Sequence, residues 1–389
     1  MQDNDLPLGY PRAIVIDNGS HTIRGGLSGE KTPSAVFPQY THKPQLTSLF
    51  LSAFIAQGQI DWYAGEEVDE SRIGFSSPRN PVDNGIITNA DDMELLWKHL
   101  FYKKLKCDTE GSSILLTEPA LNSKGSRERA VITLFEYFNI GALNLSTQES
   151  LALYASGRNT GLVVDSGLYS TRVIPIYEGL VLRHGIQRLD IGGQQVTGYF
   201  IQTLQDSGHG LETRRERTLA ANLKEEYCYV AQDFEGEARA FQEGHNLPTA
   251  TSYTLADGKA ITVGKERLLA PEVLFQPHLM GLNGEAGIQH LAAASIAKSD
   301  VSIKDILYGN IVLAGGSSMF PGIESRMQAE MTRLVPSPAR VGVHAPAERK
   351  HSAWIGGAML SSLSTFQGMC ILAADYNEIG PSIVHRRFL

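Results

Sequence analysis

Two stretches of the chain share one pattern, in which a run of apolar residues ends in Asp-x-Gly and a second β-prone run follows. The first reads AIVIDNGS over residues 13–20, and the second reads LVVDSG over residues 162–167. An apolar run that ends at glycine is typical of a buried strand entering a tight turn. Residues 22–23 and 171–174 can form the return strands. The pattern therefore predicts two similar β-hairpins.

Elsewhere the apolar positions recur at helical spacing. Residues 91–104 (DDMELLWKHLFYKK) form a predicted amphipathic helix with acidic side chains in its first turn and basic ones in its last, which complements the helix dipole. Helices are also predicted over residues 127–138 and 212–234, and strands over residues 113–116 and 311–313. This alternation predicts an α/β protein.

Length and composition narrow the class of protein. At 389 residues the chain is long enough for two domains, and its net charge of −8 argues against nucleic-acid binding through bulk electrostatics. We expect no direct sequence-specific nucleic-acid binding. The three cysteines, at positions 107, 228 and 370, are far apart, which predicts neither a zinc site nor a disulfide framework. The first residues lack a signal-peptide pattern, and the most apolar stretch, residues 46–56, is too short to cross a membrane. We expect a cytoplasmic protein, with the nucleus as the alternative.

The two predicted hairpins place phosphate-binding chemistry at the end of each first strand. A tight Gly/Ser turn exposes backbone N–H groups that can cradle phosphate oxygens. Asp17 and Asp165, which close the two strands, can hold the water molecules of a magnesium ion. A third segment, residues 311–322, contains Gly315 and Gly316, which let a flat ligand such as adenosine approach the backbone. One such segment alone is more often a plain turn, but the three together predict a nucleotide site.

Longer strings carry a resemblance to a known family. In the last third they read AGGSSMFPGI from Ala314, APAERK from Ala345, WIGG from Trp354, SLSTFQ from Ser362 and GPSIVHR from Gly380. Earlier strings read DNGS at 17–20, AVFP at 35–38, LTEPALN at 116–122, LYASGR at 153–158, PIYEG at 175–179 and KEEYCYV at 224–230. On these strings the chain resembles the actin family along almost its whole length.

The resemblance implies a fold. Actin shares with hexokinase and the heat-shock chaperone ATPases an α/β, ribonuclease H-like fold, in which two similar halves surround a nucleotide cleft. Four subdomains are implied for this chain. They are residues 1–38, 81–155 and 352–389 for subdomain 1, 39–80 for subdomain 2, 156–191 and 283–351 for subdomain 3, and 192–282 for subdomain 4.

The resemblance also implies a site for ATP or ADP with Mg²⁺. Asp17 and Asp165 match the carboxylates that hold magnesium through water, so nucleotide binding is expected to depend on magnesium. Gln148 matches the catalytic glutamine that positions the attacking water, with a helix-capping role as the alternative. The implied nucleotide-binding residues are Gly19, Ser20, Arg24, Asp165, Ser166, Gly167, Gly193, Lys224, Glu225, Gly315, Gly316, Met319, Phe320 and Lys350. For Lys224 the alternative is a solvated helix face.

Several positions depart from the family pattern at the two phosphate loops. His21 replaces a glycine, and Arg24 replaces a lysine, so a planar guanidinium group stands where the family has a compact ammonium group. In the second loop Leu168 replaces a carboxylate, Tyr169 a glycine and Arg172 a histidine. Because arginine has no acceptor atom and does not deprotonate, it cannot relay a proton from water. The departures predict weak or absent ATP hydrolysis.

Two partner surfaces follow from the resemblance. The mobile loop of subdomain 2, residues 42–61, is longer and more apolar than in conventional actins, which is typical of a partner surface, with an extra packed helix as the alternative. The family's hydrophobic partner cleft is retained at Tyr154, Ala155, Gly157, Gly179, Leu360, Leu363, Thr365 and Met369. We expect other actin-family subunits and actin-binding or complex proteins as partners.

Three functions stay open on the sequence. The first is an actin-related, nucleotide-binding structural subunit of a cytoskeletal or other multiprotein assembly. The second is a divergent filament-forming actin with ATPase activity, and the third is a sugar kinase or chaperone ATPase of the same fold. The strings outside the shared nucleotide core disfavour the third. The altered second phosphate loop and the apolar loop favour the first.

Overall fold

The computed structural model describes residues 12–43, 62–68, 77–211, 213–243, 251–254, 260–335 and 339–388. Most of the predicted apolar loop, residues 44–61, lies outside this part of the chain. The chain divides into two units, of which the first comprises Met1–Ala155 and Ala353–Leu389 and the second comprises Ser156–Ser352. The further division into four subdomains stays a prediction.

The first unit is built on a sheet that begins with the predicted hairpin. Its strands before the second unit are β1 (Ile14–Asn18), β2 (Thr22–Leu27), β3 (Ala35–Pro38), β4 (Thr41–His42), β5 (Tyr63–Ala64), β6 (Val82–Asp83), β7 (Ile86–Ile87), β8 (Ser113–Glu118) and β9 (Ala142–Thr147). The main sheet has the order β3-β2-β1-β8-β9. Strands β1, β8 and β9 are parallel, whereas β2 is antiparallel to both of its neighbours.

The sequence of β1 explains its central place in this sheet. Ile14 and Ile16 belong to one apolar cluster, which includes Trp97, while Val15 belongs to a second cluster with Trp354. Successive side chains of a strand point to opposite faces of the sheet. Because Ile14, Val15 and Ile16 place apolar side chains on both faces, this part of the strand is stable only where both faces of the sheet are covered.

Two helices of this part of the chain lie close to the predicted ranges 91–104 and 127–138, and a third, over Gln148–Ala155, was not predicted. Helix α1 (Ala90–Lys98) begins at Asn89, whose side chain accepts a hydrogen bond from the Asp92 backbone, and it continues as a π-helix over His99–Leu105. Helix α2 (Lys124–Ile132) continues in the same way over Thr133–Tyr137. Helix α3 (Gln148–Ala155) follows β9 directly.

The second unit repeats the arrangement of the first. Its strands are β10 (Gly161–Ser166), β11 (Thr171–Tyr177), β12 (Leu180–Val181), β13 (Gln187–Leu189), β14 (Thr251–Thr254), β15 (Ala260–Val263), β16 (Ile311–Ala314) and β17 (Val343–His344). The main sheet has the order β12-β11-β10-β16-β17, in which β10 and β11 are the antiparallel hairpin and β10, β16 and β17 are parallel. The predicted pair of hairpins and the α/β class are confirmed.

The prediction of one long helix over residues 212–234 is wrong. The helices of this unit are α4 (Gly193–Asp206), α5 (Arg214–Tyr227), α6 (Phe234–Gln242), α7 (Glu266–Glu272), α8 (Ile288–Ala297), α9 (Val301–Gly309) and α10 (Ile323–Leu334). The chain leaves the helix after Tyr227 because tertiary contacts satisfy its backbone, as when Val230 N donates to Pro321 O at 2.9 Å. Asp233 then caps α6 by accepting a hydrogen bond from Gly236 N.

The end of the chain returns to the first unit. It forms α11 (Ser352–Ser361), α12 (Phe366–Met369), β18 (Ile371–Leu372), α13 (Ala373–Ile379) and α14 (Val384–Arg387). Strand β18 pairs antiparallel with β9 and completes one edge of the first sheet. Every helix in the described ranges is too short or too polar to cross a membrane.

Candidate functional site

Asp17 lies at the carboxyl end of β1, in the middle of the first sheet, and is almost fully buried. Its Oδ1 atom accepts hydrogen bonds from Thr117 Oγ1 at 2.7 Å and from Gln148 Nε2 at 3.1 Å. Its Oδ2 atom lies 2.9 Å from Arg24 Nη1 on the return strand. The structure therefore brings three predicted site residues, Asp17, Arg24 and Gln148, into one polar cluster.

The turn that follows β1 requires glycine at position 19. Gly19 N donates to Thr22 O at 3.1 Å, and a Cβ atom on this glycine would lie 2.9 Å from the same oxygen and 3.2 Å from Arg24 Nη1. The next residue, Ser20, accepts a hydrogen bond on its Oγ from Gly85 N at 2.9 Å. The turn is thus held by one hydrogen bond within the hairpin and by a second one from the backbone of Gly85.

Gln148 is the first residue of α3 and is buried. Its Nε2 atom lies 3.1 Å from both Asp17 Oδ1 and Asn18 O, and 3.4 Å from Thr117 Oγ1. These contacts make Gln148 a positioning residue for the carboxylate of Asp17. Its role in orienting an attacking water molecule stays a prediction.

The second hairpin reproduces the first at its turn and at its ion pair. Gly167 N donates to Ser170 O at 3.0 Å, as Gly19 N does to Thr22 O. Asp165 Oδ2 lies 3.2 Å from Arg172 Nη2, the residue directly opposite on the return strand. The sequence pattern does not predict this ion pair of Arg172, which the structure reveals.

The two carboxylates differ in their neighbours on the parallel strand. Thr117 follows Leu116, the partner of Ile16 on β1, and it donates to Asp17. Ala314 is the corresponding partner of Asp165 and has no polar side-chain atom. The Asp165 side chain is 16% exposed, compared with 4% for that of Asp17. The ion pair of the first hairpin is therefore the more buried of the two.

The predicted adenosine residues of the second unit meet at the start of α4. Gly193 N donates to Gly167 O at 2.9 Å, and Lys224 Nζ donates to Gly193 O at 3.2 Å and to Thr197 Oγ1 at 3.0 Å. Ser317 Oγ donates to Gly167 O at 2.7 Å. Lys224 is only 6% exposed, so the alternative of a solvated helix face does not apply to it, and this burial also lowers the pKa of its ammonium group. Ser317 was missed by the sequence reasoning, although it lies inside a string that carries the resemblance.

Gly315 has a positive φ of 85° and no room for a side chain. A Cβ atom there would clash with the carbonyl of Ser166 and would lie 2.6 Å from Asp165 Oδ1. Gly315 N donates to Arg349 O at 3.2 Å, and the Arg349 side chain donates from Nη2 to Ser318 O at 2.9 Å. Arg349, a second residue that the sequence patterns did not indicate, thus holds the glycine turn at both Gly315 and Ser318.

The other predicted nucleotide-binding residues differ in exposure. Glu225, Gly316, Met319 and Lys350 are exposed in the second unit. Phe320 is buried and belongs to the apolar core of that unit, so packing accounts for its side chain.

The residues of the predicted partner cleft fall in both units. In the first unit Tyr154 and Leu360 pack against the cluster that contains Trp354, whereas Leu363 and Met369 are exposed. The remaining members are Ala155 and Thr365 in the first unit and Gly157 and Gly179 in the second. Both of these glycines have positive φ angles, 74° and 83°, as turn residues often do.

The site residues do not fit a magnesium ion held as predicted. A water-mediated role requires carboxylates that face the hydration shell of the cation. Instead, Asp17 and Asp165 each have a guanidinium group of their own hairpin within 3.2 Å. Within the ranges given above, no group of three or more His, Cys, Asp or Glu side chains could hold a metal ion. We therefore assign no chemical step to magnesium.

Comparison with known proteins agrees with the resemblance. The family model for actin matches residues 10–389. The chain is also 38% identical over 376 residues to an "Actin-like protein" of Neurospora crassa, and the match covers 96% of this chain and 97% of that protein. The similarity therefore extends well beyond the strings around the two hairpins.

Proposed function

Because the chain belongs to the actin family, we propose that it is an ATP- or ADP-binding structural subunit of a cytoskeletal or other multiprotein assembly. The observation that supports nucleotide binding most is the cluster of Gly167, Gly193, Lys224 and Gly315 in the second unit. These residues are far apart in the sequence and meet near the carboxyl ends of β10 and β16. In α/β sheets, ligands bind outside the carboxyl ends of parallel strands.

The first hairpin supports the same proposal. Asp17 and Gly19 lie at the carboxyl end of β1, which is parallel to β8. Its tight turn has the same Gly N–H to carbonyl bond as the turn of the second hairpin. We propose that each hairpin contacts phosphate oxygens with backbone N–H groups, as glycine-rich turns do in other nucleotide sites.

Weak or absent hydrolysis is the second part of the proposal. Arg172, at the position where the family pattern has histidine, is ion-paired with Asp165, and Gln148 is bonded to Asp17. Neither the arginine nor the glutamine side chain can take a proton from an attacking water molecule. A filament-forming ATPase is the second candidate, because Asp17 and Gln148 are both retained. A sugar kinase or chaperone ATPase is disfavoured by membership in the actin family.

Exposed Gly316 offers a direct test of nucleotide binding. A Cβ atom on Gly316 would meet no neighbour within 4 Å, so Gly316→Val should fold normally but block a ligand that approaches the Gly315 turn. At one hundred times its dissociation constant a ligand stabilises the native state by about 2.7 kcal/mol. For a unit of this size that raises Tm by roughly 5 to 10 °C. We expect ATP and ADP to produce this shift in the parent protein and much less of it in Gly316→Val, as measured by differential scanning fluorimetry.

Gly284→Val is the matched control, because Gly284 is also exposed and also has no neighbour within 4 Å of an added Cβ atom. It should retain the full shift. A parent protein whose Tm does not respond to either nucleotide would refute nucleotide binding. A full shift in Gly316→Val would place the ligand elsewhere.

We also propose that the exposed apolar side chains of the C-terminal segment contact partner proteins. Leu363 is 51% exposed and Met369 is 37% exposed, while the nearby Leu360 packs against the core of the first unit. An amphipathic helix of a partner is the occupant that we propose, since such helices insert apolar anchors at intervals along a groove. Other actin-family subunits and their binding proteins, in the cytoplasmic cytoskeleton or the nucleus, are the expected partners.

Leu363→Asp tests this surface. A charge in the middle of an apolar interface costs about 2 kcal/mol or more, which corresponds to roughly thirtyfold weaker binding. The expected result is loss of the partners that copurify with the tagged parent protein, as quantified by mass spectrometry. Leu121→Asp is the matched control, because Leu121 is 52% exposed and lies in the same unit. Equal partner recovery with both folded variants would exclude Leu363 from the interface.

A further inference from the structure

The carbonyl oxygen of Gly167, in the turn after β10, is held by two donors from different parts of the second unit. Gly193 N, at the start of α4, donates to it at 2.9 Å, and Ser317 Oγ donates to it at 2.7 Å. A carbonyl oxygen has two lone pairs, so these two bonds use its full accepting capacity. The direction of this carbonyl is therefore fixed by one backbone group and one side-chain group.

The next carbonyl of the turn is held in the same direction. Leu168 O accepts at 2.8 Å from Gln194 N, which follows Gly193 on α4. The first N–H groups of a helix have no partner inside the helix, and here the turn supplies their acceptors. A side chain would not fit between the two segments, because a Cβ atom on Gly192 would lie 2.6 Å from Leu168 O. The turn is thus packed directly onto the N-terminus of α4.

We propose that Ser317 is a positioning residue for phosphate binding, because its hydroxyl group sets the direction in which the turn after β10 presents a backbone N–H group to a phosphate oxygen. This inference rests on the proposed nucleotide binding, and it concerns residues of the second unit alone. Ser317 acts through the turn, and the affinity for the phosphate groups of a nucleotide depends on its hydroxyl group.

The planar peptide group converts the direction of a carbonyl into that of an N–H group. In a trans peptide the N–H of one residue points opposite to the C=O of the residue before it. Since Gly167 O points toward its two donors, Leu168 N–H points away from them. Within the described ranges Leu168 N donates to no protein acceptor. This N–H group is therefore oriented to donate to a phosphate oxygen, the kind of bond that tight glycine turns supply.

Ser317 is itself held firmly against the turn. It lies in the short turn Gly316–Ser318 that follows β16, and it is 9% exposed. A Cβ atom on Gly193 would lie 2.7 Å from Ser317 Oγ, so the hydroxyl group is in contact with the backbone at the start of α4. The neighbouring carbonyl of Ser318 accepts from Arg349 Nη2 at 2.9 Å, which fixes the segment that carries Ser317. A group fixed in this way can hold a binding N–H in place, and small displacements of such groups are costly.

The test is isothermal titration of the nucleotide-free full-length protein and its variants with ADP. Ser317→Ala removes the hydroxyl group and keeps the bond from Gly193, so it should fold and bind ADP about fivefold to tenfold more weakly than the parent. Ser317→Thr keeps a hydroxyl group and should bind ADP within about threefold of the parent. Equal binding by Ser317→Ala and the parent would overturn the inference and leave nucleotide binding intact, as would Ser317→Thr binding as weakly as Ser317→Ala. Absence of ADP binding to the parent would overturn the proposed function, and the inference with it.

Two comparisons separate positioning from a general loss of structure. Ser299→Ala is the matched control, because Ser299 is 5% exposed in the same unit and its Oγ also donates to a backbone carbonyl, that of Ser295, at 3.3 Å. It should bind ADP like the parent. Adenosine has no phosphate group, so its dissociation constant, measured in the same way, should be equal in Ser317→Ala and in the parent. Equal weakening of adenosine and ADP binding in Ser317→Ala would contradict a role that acts through phosphate.

Discussion

Release of phosphate from bound ATP is expected to be about 10²- to 10⁴-fold slower than in a conventional actin, the usual cost of losing a positioned proton acceptor. The family histidine is replaced by Arg172, which is paired with Asp165 at 3.2 Å. Catalysis of phosphoryl transfer depends mainly on positioning and on stabilisation of charge. Because Arg172 can stabilise developing negative charge, we expect slow hydrolysis rather than none.

Single-turnover phosphate release measures this effect directly. The triple variant Leu168→Asp, Tyr169→Gly, Arg172→His restores the family pattern and should raise the rate of phosphate release. Arg333→His is the control, because Arg333 is 70% exposed on α10, and it should leave the rate unchanged. A rate equal to that of a conventional actin in the unmodified protein would contradict the prediction. It would also favour the filament-forming ATPase over the structural subunit.

Replacement of Arg24 by the uncharged glutamine is expected to destabilise the first unit severely. The side chains of Arg24 and Asp17 are 10% and 4% exposed, so Arg24→Gln leaves a buried carboxylate without its cation. Breaking such a buried pair costs about 3–5 kcal/mol. For a unit of this size Tm should fall by roughly 10 °C, measured by differential scanning calorimetry without nucleotide.

Two further variants separate this cause from a general effect of losing arginine. Arg333→Gln removes an arginine that is 70% exposed, and it should change the free energy of unfolding by no more than about 0.5 kcal/mol. The double variant Arg24→Gln, Asp17→Asn removes both charges and should recover part of the loss, because the two residues are coupled. A Tm of Arg24→Gln equal to that of Arg333→Gln would contradict the importance of the buried pair.

Local sequence patterns predicted the elements of the fold where the apolar spacing is strong. The run over residues 13–16 places apolar side chains on both faces, and it lies in a central strand as expected. The helix predicted over residues 212–234 ends early because Val230 bonds to Pro321, a partner far away in the sequence. A pattern of nearby residues carries no information on such a partner.

The candidate site was predictable in its members but not in its contacts. The resemblance pointed to Gly167, Gly193, Lys224 and Gly315, which the second unit brings together. It did not reveal that Arg172 pairs with Asp165, because a pairing across a hairpin depends on the register of its strands. The signal was present as the repeated spacing of seven residues from aspartate to arginine, 17 to 24 and 165 to 172. That spacing places the two residues opposite each other once the turn is fixed.

The nucleotide content of the purified protein tests the proposed binding most directly. The protein would be isolated without added nucleotide, denatured with acid, and the released nucleotide identified and quantified by anion-exchange chromatography. We predict ATP or ADP in near-stoichiometric amount, with ATP persisting because hydrolysis is slow. A protein that carries no nucleotide, and that takes up neither ATP nor ADP when they are supplied, would contradict the assignment.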